Sequence, residues 1–285
     1  MPHREGFVCA GTWCLEHVKA VAHYPAAGEQ TTILREHTRA GGNAFDVLAA
    51  LRRLDAFLPL YALGMIGDDE EGRALLAACH KAEADTFQLQ TTSAAPTSHA
   101  IIIQKEHDET GTRFYAPGAN HFLQTQHFDF KHCLARWLCL NVDGLLVPEV
   151  KVLTEIFQAA RALHMSTALT LSTPELAIPA RTLLPELDYL VIAAPAWRAL
   201  AQETGVSAGV DLFQFGLREG FAILEGERVF AGLRSGESMD CKLSITDLQN
   251  TATLSALSAI FLYGRYSGWS LEETRAALTT RAVIG

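Results

Sequence analysis

The sequence predicts an α/β protein: a largely parallel sheet covered by helices on both faces, with a second, smaller β sheet. Three observations carry this. From about residue 40 onward, amphipathic helix patterns alternate with short apolar runs, the order that builds a parallel sheet between helical layers. Two β-rich runs, at 16–39 and 98–115, are too polar for core strands and suit a small sheet exposed on one face. The stretch Ser244 to Tyr263 starts polar and then turns small and apolar for three turns, as a loop feeding a buried helix does.

Each element has a local reason. Gly6 to Gly11 is an apolar run ending in glycine, the first buried strand. Glu16 to Tyr24 and Gln30 to Arg39 alternate as half-exposed strands around the Pro25–Gly28 turn. Gly41-Gly42 breaks the second, and Asn43 to Leu54 is an amphipathic helix. Leu60 to Ile66 is a strand, Gly67-Asp68-Asp69 a turn and Glu70 to Ala82 a helix, with Asp68 and Asp69 as turn and cap residues. Ser98 to Gln104 and Gly111 to Tyr115 form a hairpin around a charged turn. Strand patterns cover Leu134–Asn141, Gly144–Val147, Ser166–Leu171, Tyr189–Ile192, Gly220–Glu225 and Glu227–Phe230. Helix patterns cover Val150–His164, Trp197–Thr204, Gly209–Phe215 and Leu271–Ala282. No repeat or linker divides the 285 residues, so one domain over 1–285 is expected.

Composition narrows the function. A formal charge of −9 without a Lys/Arg run argues against a nucleic-acid surface. The N-terminus has no signal-peptide core, and no apolar run reaches membrane-spanning length, so no membrane role and a cytoplasmic location are expected. The six cysteines form no C-x-x-C pair, which favours buried reduced thiols, and no metal site is expected.

The order of motifs resembles the ribokinase (PfkB) family of sugar and nucleoside kinases over nearly the whole chain. Gly11 with Pro25 and Gly28 resembles its opening segment. Gly41-Gly42-Asn43-Ala44-Phe45-Asp46-Val47 is similar to its G-G-x-x-x-N-V helix start. Leu63 to Gly72 matches its G-x-x-G-x-D-x-x-G segment, the most specific piece. Gly216 and Gly220 stand where a G-x-x-G nucleotide segment is expected, and Leu243 to Phe261 has the position of its hallmark helix. The resemblance implies a three-layer α/β/α sandwich with a β lid at 16–39 and 98–115. It implies a sugar or nucleoside under the lid, ATP with magnesium near the C-terminal half, and pairing of lids into a homodimer through Ile101, Ile103 and Phe114.

Phosphoryl transfer to an alcohol needs a base for the hydroxyl proton and donors for the migrating charge. The family carries both in D-T-x-G-A-G-D. Here that motif reads Asp247-Leu248-Gln249-Asn250-Thr251-Ala252-Thr253. The leading Asp247 remains. Asn250 and Ala252 replace the glycines that admit phosphate, with Thr251 between them, and Thr253 occupies the base position. A threonine hydroxyl is not basic near neutral pH, and losing a general base removes about two to four orders of magnitude in rate. The N-x-x-E segment tied to magnesium reads Ala193-Ala194-Pro195-Ala196. Either phosphotransfer is weak or absent, or Asp247 or Glu16 serves as a substitute base. On the acceptor side, Glu16 stands for a hydroxyl-binding Asp and Asp46 for the usual Asn, beside Gly41 and Gly42. Arg113 is placed to reach an anionic group. Glu16 and Arg113 fit solvated strand charges equally well, and Thr251 and Thr253 also fit helix caps.

Overall fold

The computed structural model describes residues 3–106, 111–142, 150–243 and 251–280. The chain starts with β1 (Phe7–Gly11), β2 (Cys14–Val21), β3 (Ile33–Gly41), α1 (Asn43–Leu54), β4 (Leu60–Gly67), α2 (Glu70–Lys81) and β5 (Asp85–Thr92). It continues with β6 (His99–Lys105), β7 (Gly111–Ala116), β8 (Trp137–Val142), α3 (Val150–Ala162), β9 (Ser166–Leu171) and α4 (Ala177–Leu183). It closes with β10 (Tyr189–Ala193), α5 (Ala194–Thr204), β11 (Gly220–Glu225), β12 (Arg228–Leu233), β13 (Ser238–Lys242), α6 (Thr251–Ser267) and α7 (Leu271–Thr279).

Among the described residues, nine strands form the main sheet in the order β13-β12-β11-β10-β9-β8-β1-β4-β5. From β11 to β5 all neighbours are parallel; the β11–β12 and β12–β13 pairs at one edge are antiparallel. Parallel strands covered on both faces must be apolar throughout, which is why β1 and most of β10 are buried runs without alternation. One face packs on α1, α6 and α7 through Leu48, Leu51, Leu257, Phe261 and Leu278. The other packs on α3, α4 and α5 through Ile156, Phe157, Leu183 and Leu200. The expected three-layer architecture is therefore present.

The polar runs form a separate four-stranded sheet, β3-β2-β6-β7, as their composition required. Asp69 fastens it to the body. Its carboxylate caps α2 by accepting from the Gly72 amide at 2.8 Å and accepts from the Thr97 amide at 2.7 Å, just before β6. Burial pushes this carboxyl up, but the Thr97 and Gly72 hydrogen bonds outweigh it and hold Asp69 below the usual carboxylate range.

Some boundaries differ from expectation. β5 and β13 are edge strands whose polar residues gave no apolar signal. Gly209–Phe215 is 3-10 rather than α-helical, and α5 begins at Ala194 because Pro195 is favoured in a first helical turn. The expected strand at Gly144–Val147 lies outside the described residues. No helix among the described residues is long and apolar enough to cross a membrane.

Candidate active site

The small sheet presents a charged face. Register dictates it: β2 pairs antiparallel with β3 so that Glu16 faces Arg39, and Ile102 of β6 sits between Val18 and Arg113. Glu16, Val18, Arg39, Ile102 and Arg113 thus share one side. Glu16 is fully buried, yet it meets two guanidinium groups. Arg113 Nη2 lies 2.7 Å from one carboxylate oxygen, and Arg39 contacts the other. Arg39 also reaches Asp46 Oδ1 at 3.5 Å. Both oxygens are buried, and the two guanidiniums are what offset the carboxylate.

The structure therefore brings Glu16, Gly41, Gly42, Asp46 and Arg113 together. Gly41 makes room: a Cβ there would sit 2.7 Å from Glu16 Cδ. Gly42 holds φ +90°, and a Cβ would lie 2.4 Å from the Thr12 carbonyl oxygen. Its carbonyl accepts from the Asp46 amide, which opens α1. Burial pushes the Asp46 carboxyl up to about 6; Glu16 adds to the rise and Arg39, Arg113 and Arg53 oppose it. Burial opposes the charge on Arg113, but Glu16 and Asp46 outweigh it and hold the guanidinium above its ordinary range.

Two contributors escaped the sequence reading. Arg39 was legible only as the end of a polar strand, since its partner is set by cross-strand register. Asn120 is buried in a 3-10 turn. It accepts from the Trp13 amide at 3.2 Å and donates to the Trp13 carbonyl at 2.9 Å, fixing the loop between β1 and β2 that leads to Glu16.

The described part of the expected catalytic segment brings no carboxylate. Thr253 lies in the first turn of α6 and is 6% exposed, and α6 carries no carboxylate anywhere along its length. Asp247 and Asn250 lie outside the described residues, as do the side chains of Thr251 and Ala252. α6 runs against the parallel strands: Ser258 lies 3.1 Å from Thr170 near the carboxyl end of β9, while Arg265 flanks the start of β10. Gly216 precedes β11 and Gly220 opens it, at the amino end of the sheet, beside the last turn of α6 rather than its first. Packing accounts for both. A Cβ on Gly216 would press on Pro185 at 3.0 Å, and one on Gly220 would meet Leu233 at 2.7 Å.

Ala193 caps α5 without a side-chain bond, and Ala194, Pro195 and Ala196 follow. Methyl and pyrrolidine groups offer no oxygen, so this position does not fit a magnesium ion. Among the described residues, no group of three or more His, Cys, Asp or Glu is arranged to hold a metal.

A mostly parallel sheet with a separate small charged β sheet defines a ribokinase-like α/β protein, and solved structures of that class superpose on it. A ribokinase from Thermotoga maritima matches with a TM-score of 0.78 at 17% identity, over 98% of this chain and 92% of that one. A ribokinase from Cryptococcus neoformans var. grubii serotype A in complex with ADP gives 0.75 at 16%, over 99% and 93%. A nucleoside kinase from Methanocaldococcus jannaschii gives 0.74 at 12%, over 99% and 92%. No curated protein matches the sequence. Residues 8–213 match the pfkB family carbohydrate kinase pattern, and the chain belongs to that family.

Proposed function

We propose that this chain binds a small sugar or nucleoside beneath its lid as a single ribokinase-like domain, with phosphotransfer from ATP weak or absent. The observation that carries the proposal is Thr253, a buried hydroxyl where the family's base belongs, on a helix without a carboxylate. The alanine-proline start of α5 supports it independently by offering no side chain to a metal. Glu16, Asp46, Arg39 and Arg113 supply a polar floor for acceptor hydroxyls, and Gly41 and Gly42 let a ligand approach the backbone.

The active reading needs another base. Glu16 is the described candidate, but both of its oxygens face guanidinium groups, and accepting a proton would cost those pairs. Thermal shift with a panel of pentoses, hexoses and nucleosides, with and without ATP or ADP, tests the binding half, because a ligand stabilises the fold with occupancy. No shift with any acceptor would remove it.

The opposite face of the lid supports a homodimer. Ile101 and Phe114 are directly paired there and 36% and 56% exposed. A sedimentation profile of monomer alone would refute pairing. Six buried cysteines outside any disulfide support a reducing, cytoplasmic setting.

A further inference from the structure

A second polar cavity, of about 480 Å³, lies at the amino ends of β8, β9 and β10, across the sheet from the strand ends where α/β folds bind substrate. Four arginines from four separate places converge on it: Arg136 before β8, Arg161 on α3, Arg218 before β11 and Arg265 on α6. The chain as a whole carries a formal −9, so this concentration of positive charge runs against its average. Two carboxylates share the wall, Asp188 and Glu219.

The pairing is incomplete. Arg161 is neutralised by Glu186 at 2.7 Å, and Arg218 approaches Asp188 only to 3.8 Å. Asp188 is already accepting from the Thr167 amide at 2.8 Å. Among the described residues, Arg136 and Arg265 have no carboxylate within ion-pair distance. Arg136 instead lies over the Tyr266 ring at 5.7 Å. Arg265 donates to the Trp269 carbonyl and to Thr274, and burial lowers its pKa although Tyr189, Glu237 and Glu273 oppose the shift.

Four arginines against two carboxylates leave the wall short of acceptor oxygens. Phosphate supplies several, in the geometry that arginine matches.

We propose that this cavity binds a phosphate ester of a small metabolite, at a site separate from the acceptor cleft. The volume exceeds that of inorganic phosphate and leaves room for a short carbon skeleton.

Calorimetric titration of the full chain with glycerol 3-phosphate and pyrophosphate, at ionic strength matched with chloride, tests it. Saturable binding is expected, weakened about tenfold or more in Arg136→Gln/Arg218→Gln. Ser166→Glu, which places a carboxylate in the cavity from β9, is expected to do the same, and guards against misfolding of the arginine variant. Absence of saturable binding up to about 10 mM in the unaltered chain overturns the proposal. So does binding that folded variants retain unchanged, which would assign the phosphate to the nucleotide cleft.

Discussion

Replacing Asp46 by Asn should stabilise the protein above neutral pH and leave it unchanged in acid. Asp46 has a side chain only 12% exposed, beside the Glu16 carboxylate and 3.5 Å from Arg39. Burial raises its carboxyl from 3.8 to about 6 in the folded chain. Between those values the folded state holds a proton that the unfolded state has released. Stability from this residue is therefore complete below pH 3.8 and is lost as pH rises through about 6. A shift of roughly two units corresponds to about 3 kcal/mol. Asparagine mimics the protonated acid in shape and charge, so it escapes the loss. Urea unfolding of wild type and Asp46→Asn from pH 4 to pH 8 should give curves that coincide in acid and diverge by about 2–3 kcal/mol at pH 8, the variant being more stable. A difference that does not change with pH, or a variant less stable at pH 8, would refute the claim that burial dominates over Arg39 at this carboxyl.

Other outcomes follow from the same cluster and its surroundings. Arg113→Ala leaves Glu16 with Arg39 alone and should cost about 1–3 kcal/mol at pH 7 by urea unfolding, since a charged partner is lost from a buried carboxylate; an unchanged midpoint would mean the pair is neutral in energy. Gly42→Ala must relax both a φ of +90° and a contact at 2.4 Å, so a loss of about 2–4 kcal/mol is expected, and a soluble variant of wild-type stability would contradict the packing. Phe114→Asp should shift the sedimentation profile from dimer to monomer while keeping the thermal midpoint of the monomer; a dimer that survives would place the contact elsewhere.

The layers were legible because a parallel sheet announces itself through uninterrupted apolar strands, as in Phe7–Gly11 and Leu190–Ile192. The lid was legible for the converse reason: its strands alternate and carry charge. β5 was invisible because an edge strand reading Asp-Thr-Phe-Gln-Leu-Gln-Thr-Thr buries only Gln88 and Leu89. Glu16, Gly41, Gly42, Asp46 and Arg113 could be grouped from motif position, and the structure puts them in one place. Arg39 could not, because its role depends on which residue of β2 faces it across the strand pair. Gly216 and Gly220 were placed by their order along the chain, with three residues between them rather than the two of G-x-x-G, and order does not tell which end of a strand a glycine sits at; here they lie at the amino end, against Pro185 and Leu233. The arginines of the second cavity are scattered over 130 positions, and only the alignment of strand ends assembles them.

The measurement that bears most directly on the central claim is steady-state turnover. Purified wild type, with ATP, magnesium and saturating pentoses, hexoses or nucleosides, should form phosphorylated product far below about 1 s⁻¹ or not at all, with Thr253→Asp run beside it as the comparison. Saturable formation of a sugar or nucleoside phosphate by the wild type at about 1 s⁻¹ or faster, within the ordinary range for enzymes, would contradict the account.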